Sequence, residues 1–378
     1  MSVNSPASRL ATRLAFLAAG FSISCWAPLV PFAKQRLAVD DGVLGLLLLC
    51  LGVGSVVAMT FSGGLIARFG SKPVILFGGT GVALLLPLLT VASTELELAL
   101  ALFLFGASLG LLEVAMNVHA VEVEAASSRP LMSGFHALFS IGGFAGAGFI
   151  TLLLSLKVNP LFCTLLSSLI VLSAVCIARP RFLPPIKSDR PPLFVAPRGI
   201  VILVAALAAV SFLAEGALLD WSALLITNKE LVSTAQGGWG YMLFAVAMTA
   251  GRLSGDAITA RFGDRLTMFW GAILAIVGFS VLLTGQIALI ALAGFVLIGL
   301  GASNIVPVLF RQAGVQKAMP ASLAVSAISI VGYAGYLTGP AGIGFVAKAL
   351  NLESAFWLLT GLLCVIPCCA QLVTQRRA

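Results

Sequence analysis

Twelve apolar stretches, each close to the ~20 residues that carry a helix across a bilayer, follow one another along this 378-residue chain. They fall at roughly 12–33, 43–67, 73–92, 96–120, 131–155, 160–178, 199–226, 237–260, 266–285, 287–310, 321–347 and 354–374. Only 10% of the residues are charged and 60% are hydrophobic, whereas a soluble domain carries about 25% charged residues. The sequence therefore predicts an all-α membrane protein of twelve transmembrane helices.

The connections are short except for 179–198, a Pro-rich basic stretch with the composition of an extended, hydrated linker. It divides the chain into an N-terminal six-helix bundle, 1–178, and a C-terminal one, 199–378. Arg9 and Arg13 precede Leu14–Val30 in the outline of a signal peptide. No small-residue cleavage site follows, so an uncleaved first span is expected. The net charge of +8 lies in alternate loops rather than in one patch, which marks topology and not a nucleic-acid partner. Sixteen Lys and Arg residues, from Arg9 and Arg68 to Lys187, Arg190, Arg376 and Arg377, lie at one set of span ends. Five, Lys34, Arg36, Lys157, Lys229 and Lys348, lie at the other. That asymmetry predicts that both termini and the linker are cytoplasmic. The seven cysteines all sit in apolar runs without disulfide or metal spacing.

The halves repeat each other. Ala67-Arg68-Phe69-Gly70 recurs as Ala260-Arg261-Phe262-Gly263, with Lys72 and Arg265 following two positions later. Trp26 in span 1 has a counterpart in Trp221 of span 7, and the glycines of span 5 are answered in span 11. Parallel repeats of six spans are the architecture of rocking transporters, with the substrate near the midplane between halves.

Within that frame the stretch Gly106–Glu124 carries the chemistry. Gly106, Gly110, Glu113 and Asn117 fall on one helical stripe: two glycines for close helix approach, then an acid and an amide. A charged acid at the bilayer centre costs roughly 2.5–3.5 kcal/mol on insertion scales, so Glu113 is expected to face a bundle interior or water. A carboxyl there can alternate between protonated and ionised forms as the cavity opens to each side. Glu215 and Asp220 in span 7 are five residues apart and point about 140° from each other on an ideal helix. Both face one cavity only if the helix unwinds near Gly216. No basic residue is expected at mid-membrane in the other half to pair with them. Trp26 and Trp221 offer flat faces to a solute or belong to an interfacial belt. Asn304, three residues after Gly301 as Glu113 is three after Gly110, is a hydrogen-bonding counterpart in span 10. Tyr333 and Tyr336 in span 11 offer hydroxyls to substrate or backbone. His136 and His119 lie near span ends, where capping or gating is the more frequent role of a histidine. Arg68, Lys72, Arg252, Asp256 and Arg261 read as a cytoplasmic latch of breakable ion pairs, with Gly70 and Gly263 supplying tight turns.

GGLIARFGSK at 63–72 resembles the loop 2–3 signature of the major facilitator superfamily, G-x-x-x-D-R-x-G-R-R. Gly63, Arg68, Gly70 and Lys72 match, while Ala67 replaces the acid and Ser71 a basic residue. The acid is available instead in the second half, at Asp256. LEVAMN at 112–117 resembles the span 4 segment of the L-fucose–proton symporter group, whose matching glutamate takes part in proton coupling and sugar binding. EGALLDWSALL at 215–225 and GRLSGDAITARFGDR at 251–265 resemble a YbjJ-like bacterial inner-membrane branch. The resemblance implies the major facilitator fold of two pseudo-symmetric six-helix bundles. It also implies rocker-switch transport of a small-molecule substrate coupled to protons, with no cofactor beyond the proton gradient. A monomer in the lipid bilayer is expected.

Proton-coupled uptake of a polar, sugar-like solute is the leading expectation. A drug–proton antiporter is the alternative, but span 4 has no arginine and SIGGFAGAGFI has no proline, both of which such antiporters usually carry. A non-transporting sensor is a minor alternative. No nucleophile–base set, phosphate loop or metal cluster speaks for an enzyme.

Overall fold

The computed structural model describes residues 5–184, 196–233 and 236–375. Most of the 179–198 linker, with Lys187 and Arg190, and the C-terminal Arg376 and Arg377 lie outside the described residues. Among those residues eleven helices are long and apolar enough to cross a membrane. They are α1 (Pro6–Leu37), α2 (Val43–Phe69), α3 (Ser71–Val91), α4 (Glu95–Ala125), α5 (Met132–Ser155), α6 (Pro160–Arg181), α7 (Ile200–Asn228), α8 (Trp239–Thr284), α9 (Ala288–Val315), α10 (Ala321–Ala349) and α11 (Leu352–Thr374). The sequence predicts separate spans at 237–260 and 266–285, and the structure joins them in the 46-residue α8. At 1.5 Å per residue that is roughly 70 Å of helix, more than twice the hydrocarbon thickness. It is broken at Gly263, whose φ of 77° and ψ of 165° are non-helical.

Local chemistry sets the helix ends. Asp40, Thr94 and Asn351 each cap the helix that follows by accepting a backbone N–H three residues on. Prolines set the internal breaks. A 3₁₀ turn at Ala27–Leu29, containing Pro28, bends α1 just after Trp26. In α9 the helix lapses at Ser303 and Asn304, between Ala288–Ala302 and Ile305–Val315. Pro307 lacks the N–H that would bond the Ser303 carbonyl one turn back, so that oxygen is released at mid-span.

Two compact units emerge. The first holds Met1–Ser128, Leu138–Ala196 and Pro320–Ala327, and the second Arg129–Ala137, Pro197–Met319 and Ile328–Ala378. The starts of α5 and α10 fall in the unit that holds the other half's helices. Phe16, Phe105 and Leu98 are fully buried in the first unit and Phe279, Phe295 and Phe356 in the second. Phe77, Leu84, Leu169, Trp270, Leu289 and Phe345 turn outward, which suits a hydrocarbon solvent.

The repeat is visible atom by atom. Gly70 adopts φ 82°, ψ 166° and Gly263 φ 77°, ψ 165°, a region open essentially to glycine alone. The spacing that carries Ala67 to Ala260 also carries Gly106 to Gly299 and Leu51 to Phe244. A Cβ on Gly106 would meet the Leu51 carbonyl oxygen at 2.0 Å, and one on Gly299 the Phe244 oxygen at 2.4 Å. The same helix contact is therefore built twice from a glycine against a bare carbonyl.

The same spacing carries Arg36 to Lys229. Arg36 donates to the carbonyls of Leu89, Thr90 and Ala92 at 2.9, 2.6 and 2.8 Å, closing the C-terminal end of α3. Lys229 donates to Leu283 O at 2.6 Å near the end of α8 and lies 3.1 Å from the Glu353 carboxylate. Two of the five basic residues on the minority side are thus helix C-caps, where a cation meets the negative end of the dipole. Arg36→Ala is expected to lower stability by about 2–3 kcal/mol, the scale of hydrogen bonds from a charged donor. Thermal unfolding in detergent reads this, and Arg36→Lys recovers part of the loss.

Candidate functional site

In the first unit, Glu113 stands near the middle of α4. It is half-buried, and among the described residues neither a hydrogen bond nor an ion pair reaches its carboxylate. Gly110 and Gly106 lie one and two turns before it, and α2 passes so close that Ser55 Oγ donates to the Gly106 carbonyl at 2.8 Å. The glycine pair thus fixes the height and facing of the acid. Asn117, 5% exposed, donates its Nδ2 to the Glu113 backbone oxygen at 2.9 Å, and its Oδ1 has no partner. Trp26 is 4% exposed and its indole N–H is also without a partner. A buried polar atom left unsatisfied costs about 1–3 kcal/mol, so both are marked positions. His119 is a packing residue: its Nε2 accepts the Leu183 N–H at 3.1 Å and its Nδ1 lies 3.0 Å from Thr12 Oγ1.

In the second unit the structure brings together residues that the sequence reading keeps apart. Arg252 Nη2 lies 3.7 Å from Glu215 Oε1, and Arg252 Nε donates at 3.4 Å to the Ser303 carbonyl released by Pro307. This differs from the expectation that Arg252 belongs to a latch at the span ends. Arg252 precedes the Gly263 turn by eleven residues, roughly 16 Å along the helix, and only 7% of it is exposed. The helix α7 does not unwind at Gly216. That glycine is a packing contact, where a Cβ would come within 2.8 Å of the Tyr336 carbonyl. Asp220 is exposed while Glu215 is half-buried, and both lie in electrostatic reach of Tyr336.

The other predicted residues fall around this pair. Tyr333 and Tyr336 stack with ring centroids 6.1 Å apart. His136, nearly buried, packs its ring 5.6 Å from Phe310 and lies in electrostatic reach of Arg252. Trp221 lies over Gly344, whose missing Cβ would sit 3.1 Å from the indole. Asn304 clamps α8: its Nδ2 donates to the Gly251 carbonyl at 3.1 Å, and a Cβ on Gly255 would collide with its Oδ1. The buried Oδ1 of Asn304 is itself without a hydrogen-bond partner.

The expected latch is built differently. Asp256 accepts the N–H groups of Ser133 and Gly134 at 3.0 and 2.9 Å, capping the start of α5 with a full negative charge. Arg68 and Arg261 are exposed and Lys72 half-buried, and none of the three makes an ion pair among the described residues. Arg261 instead lies over the Phe262 ring at 5.4 Å. The polar contacts near the glycine turns come from the residue after each glycine. Asp264 pairs with Arg311 and accepts from Gln312 at 2.6 Å, and Ser71 donates to Glu122 at 3.2 Å. The recurring Gly-x position carries a polar side chain in both halves, a signal present in the sequence and missed. In the first unit Ser326, at the start of α10, donates to the Met59 carbonyl at 2.7 Å. It stands where the repeat spacing carries Ser133, so a serine hydroxyl there answers the Asp256 carboxylate.

Repeated sets of membrane-length helices with acids held near mid-span define a secondary transporter. The family model of the Major Facilitator Superfamily matches residues 14–310, and the chain belongs to that superfamily. It is similar to an MFS-type transporter of Yersinia pestis, 45% identical over 370 residues, covering 97% of this chain and 96% of that relative. A second relative, the transporter y4wD of Sinorhizobium fredii, is 31% identical and covers 91% of this chain and 92% of its own length. Among solved structures, the superfamily transporter FucP in its outward conformation shares the fold. Its TM-score is 0.83 at 17% identity, covering 99% of this chain and all of that one. The class is that of membrane transporters rather than enzymes.

Proposed function

We propose that this protein imports a small polar, sugar-like solute together with protons. Counting the two arms of α8 as separate spans gives twelve helices, six in each bundle, 1–178 and 199–378, that rock about the substrate. The protein works as a monomer in a bacterial inner membrane with both termini cytoplasmic. The observation that carries the reading is the unpaired Glu113 carboxylate near mid-span on a glycine-fixed stripe. A carboxyl without a cation in that position is stable as the neutral acid when dry and as the anion when hydrated, which is what coupling to alternating access requires. Trp26 and the Asn117 amide, with orphaned buried atoms one helix away or one turn away, supply a stacking face and hydrogen bonds for a hydroxylated solute. Glu215 and Asp220 are the further proton sites, and His136, Trp221, Asn304, Tyr333 and Tyr336 are the second unit's substrate-binding residues. Arg68, Lys72, Arg261 and the Gly70 and Gly263 turns, with Asp256 of α8 capping the start of α5, form the cytoplasmic gate.

The test uses liposomes holding a trapped pH dye, with matched orientation of wild type and Glu113→Gln. A sugar, sugar acid or cationic drug is added outside. The expected result is lumen acidification by a sugar-like solute through wild type, reduced at least about tenfold in Glu113→Gln, the range of a lost proton-transfer group. The variant keeps the wild-type melting temperature. A drug that instead draws protons out of the lumen makes the protein an exporter and overturns the import reading.

A further inference from the structure

We infer that Arg252 anchors a carboxylate on the cargo, so that the solute is a hydroxylated organic acid whose carboxylate displaces Glu215. The inference rests on the transport reading above and narrows its substrate class.

An arginine does not give up its proton in a protein, so the second unit holds a permanent positive charge near mid-span. Its Nε donates at 3.4 Å to the Ser303 carbonyl that Pro307 sets free. Glu215 neutralises this charge at 3.7 Å. That is well beyond the 2.7–2.9 Å of a charge-assisted hydrogen bond, and Glu215 Oε1 is buried with no hydrogen-bond partner. The pair is therefore a charge contact without the hydrogen bonds that normally secure one. A cargo carboxylate presented to the guanidinium gains those bonds, in the geometry that arginine matches best.

Once displaced from its cation, Glu215 remains half-buried on α7, where the neutral acid is the stable form. One proton then enters for each cargo anion, and no net charge moves. The titratable groups facing the pair are few. Tyr241 lies in electrostatic reach of both Glu215 and Arg252, Tyr336 of Glu215, Asp220 and Tyr333, and His136 of Arg252. The three tyrosine hydroxyls are suited to the hydroxyl groups of the cargo, and the exposed Asp220 lies in electrostatic reach of Tyr241 as well as of Tyr336.

The experiment measures binding to the full-length protein in detergent, without any gradient, by ligand-induced shifts in melting temperature and tryptophan fluorescence. D-glucuronate, D-gluconate, quinate and L-lactate are compared with D-glucose and myo-inositol at matched ionic strength. Wild type, Glu215→Gln and the charge-conserving Arg252→Lys are run side by side from pH 5.5 to 8.5. At least one acid is expected to bind wild type more tightly as pH falls. Glu215→Gln should bind that acid about tenfold more tightly than wild type at pH 8.5 and lose the pH dependence. Arg252→Lys should weaken it at least about tenfold, because the guanidinium fork is lost while its charge is kept. Neutral compounds should show neither effect. The inference is overturned if no acid shifts any of the three proteins, if Arg252→Lys binds acids as wild type does, or if the neutral sugars bind alone. Acid binding through Arg252 without lumen acidification in liposomes would leave the carboxylate site standing and remove the proton-import reading. Lumen acidification by a neutral sugar alone would do the reverse.

Discussion

Gly106→Leu should abolish accumulation of folded protein, while Gly148→Leu, the same change on the neighbouring α5, accumulates as wild type does. A Cβ at Gly106 would lie 2.0 Å from the Leu51 carbonyl oxygen and 2.8 Å from its carbon, more than an ångström inside contact distance. The obstacle is backbone, so no rotamer change relieves it. The approach is mutual, because a Cβ on Gly54 would meet the Phe103 carbonyl oxygen at 2.0 Å. Separating α2 from α4 by the width of a side chain breaks the Ser55 to Gly106 hydrogen bond and opens packing along the whole contact. Overpacking a filled core costs about 1–3 kcal/mol even when side chains can move. Here at least about 4 kcal/mol is expected, against a total stability of roughly 5–15 kcal/mol. Gly148 is exposed and has no atom within 4 Å of its Cβ direction, so leucine there gains the helix propensity that glycine lacks. Size-exclusion profiles of fluorescently tagged protein extracted from membranes distinguish the two.

The glycine stripe was legible because helical period alone brings Gly106, Gly110 and Glu113 onto one face. The membrane-length helices were legible for a similar reason, since a span is a local property of some twenty residues. The Ala-Arg-Phe-Gly repeat likewise announced two equivalent turns, and Gly70 and Gly263 adopt nearly the same dihedral angles. What sequence reading lost were contacts whose partner is backbone or lies on another helix. Asp256 binds the N–H groups of Ser133 and Gly134, which any residue offers and which no side-chain pattern marks. Its spacing of four from Arg252 invited a pairing on one helix. Arg252 instead turns to Glu215, thirty-seven positions earlier in the chain, and to a carbonyl exposed by a proline on a third helix. Gly216 between two acids suggested unwinding, but a glycine serves equally well for close approach, and the carbonyl of Tyr336 occupies the space. Arg36 and Lys229 read only as charges on the minority side, because a C-cap is recognised by backbone carbonyls, three for Arg36 and one for Lys229, that the sequence does not distinguish.

Glu215→Leu is expected to destabilise the protein by about 3–5 kcal/mol, the cost of removing one partner of a buried ion pair and leaving the other charged. Arg252→Met should fall in the same range, since it strands the carboxylate. The double variant Glu215→Leu/Arg252→Met should return to within about 1 kcal/mol of wild type, as replacement of a buried pair by apolar side chains of similar volume is often neutral or better. A coupling of this size and sign in the double-mutant cycle, read from thermal or denaturant unfolding in one detergent, would show that the two charges act on stability only through each other. Asp220→Asn, exposed on the same helix, should stay within about 0.5 kcal/mol of wild type. Purely additive losses would mean that the contact at 3.7 Å carries no pairing energy. The stable double variant also separates folding from recognition. If the pair exists to hold the bundle together, an apolar replacement is a complete substitute. If it holds a place for cargo, the double variant folds and binds no acid, because the permanent cation is what an anionic solute requires.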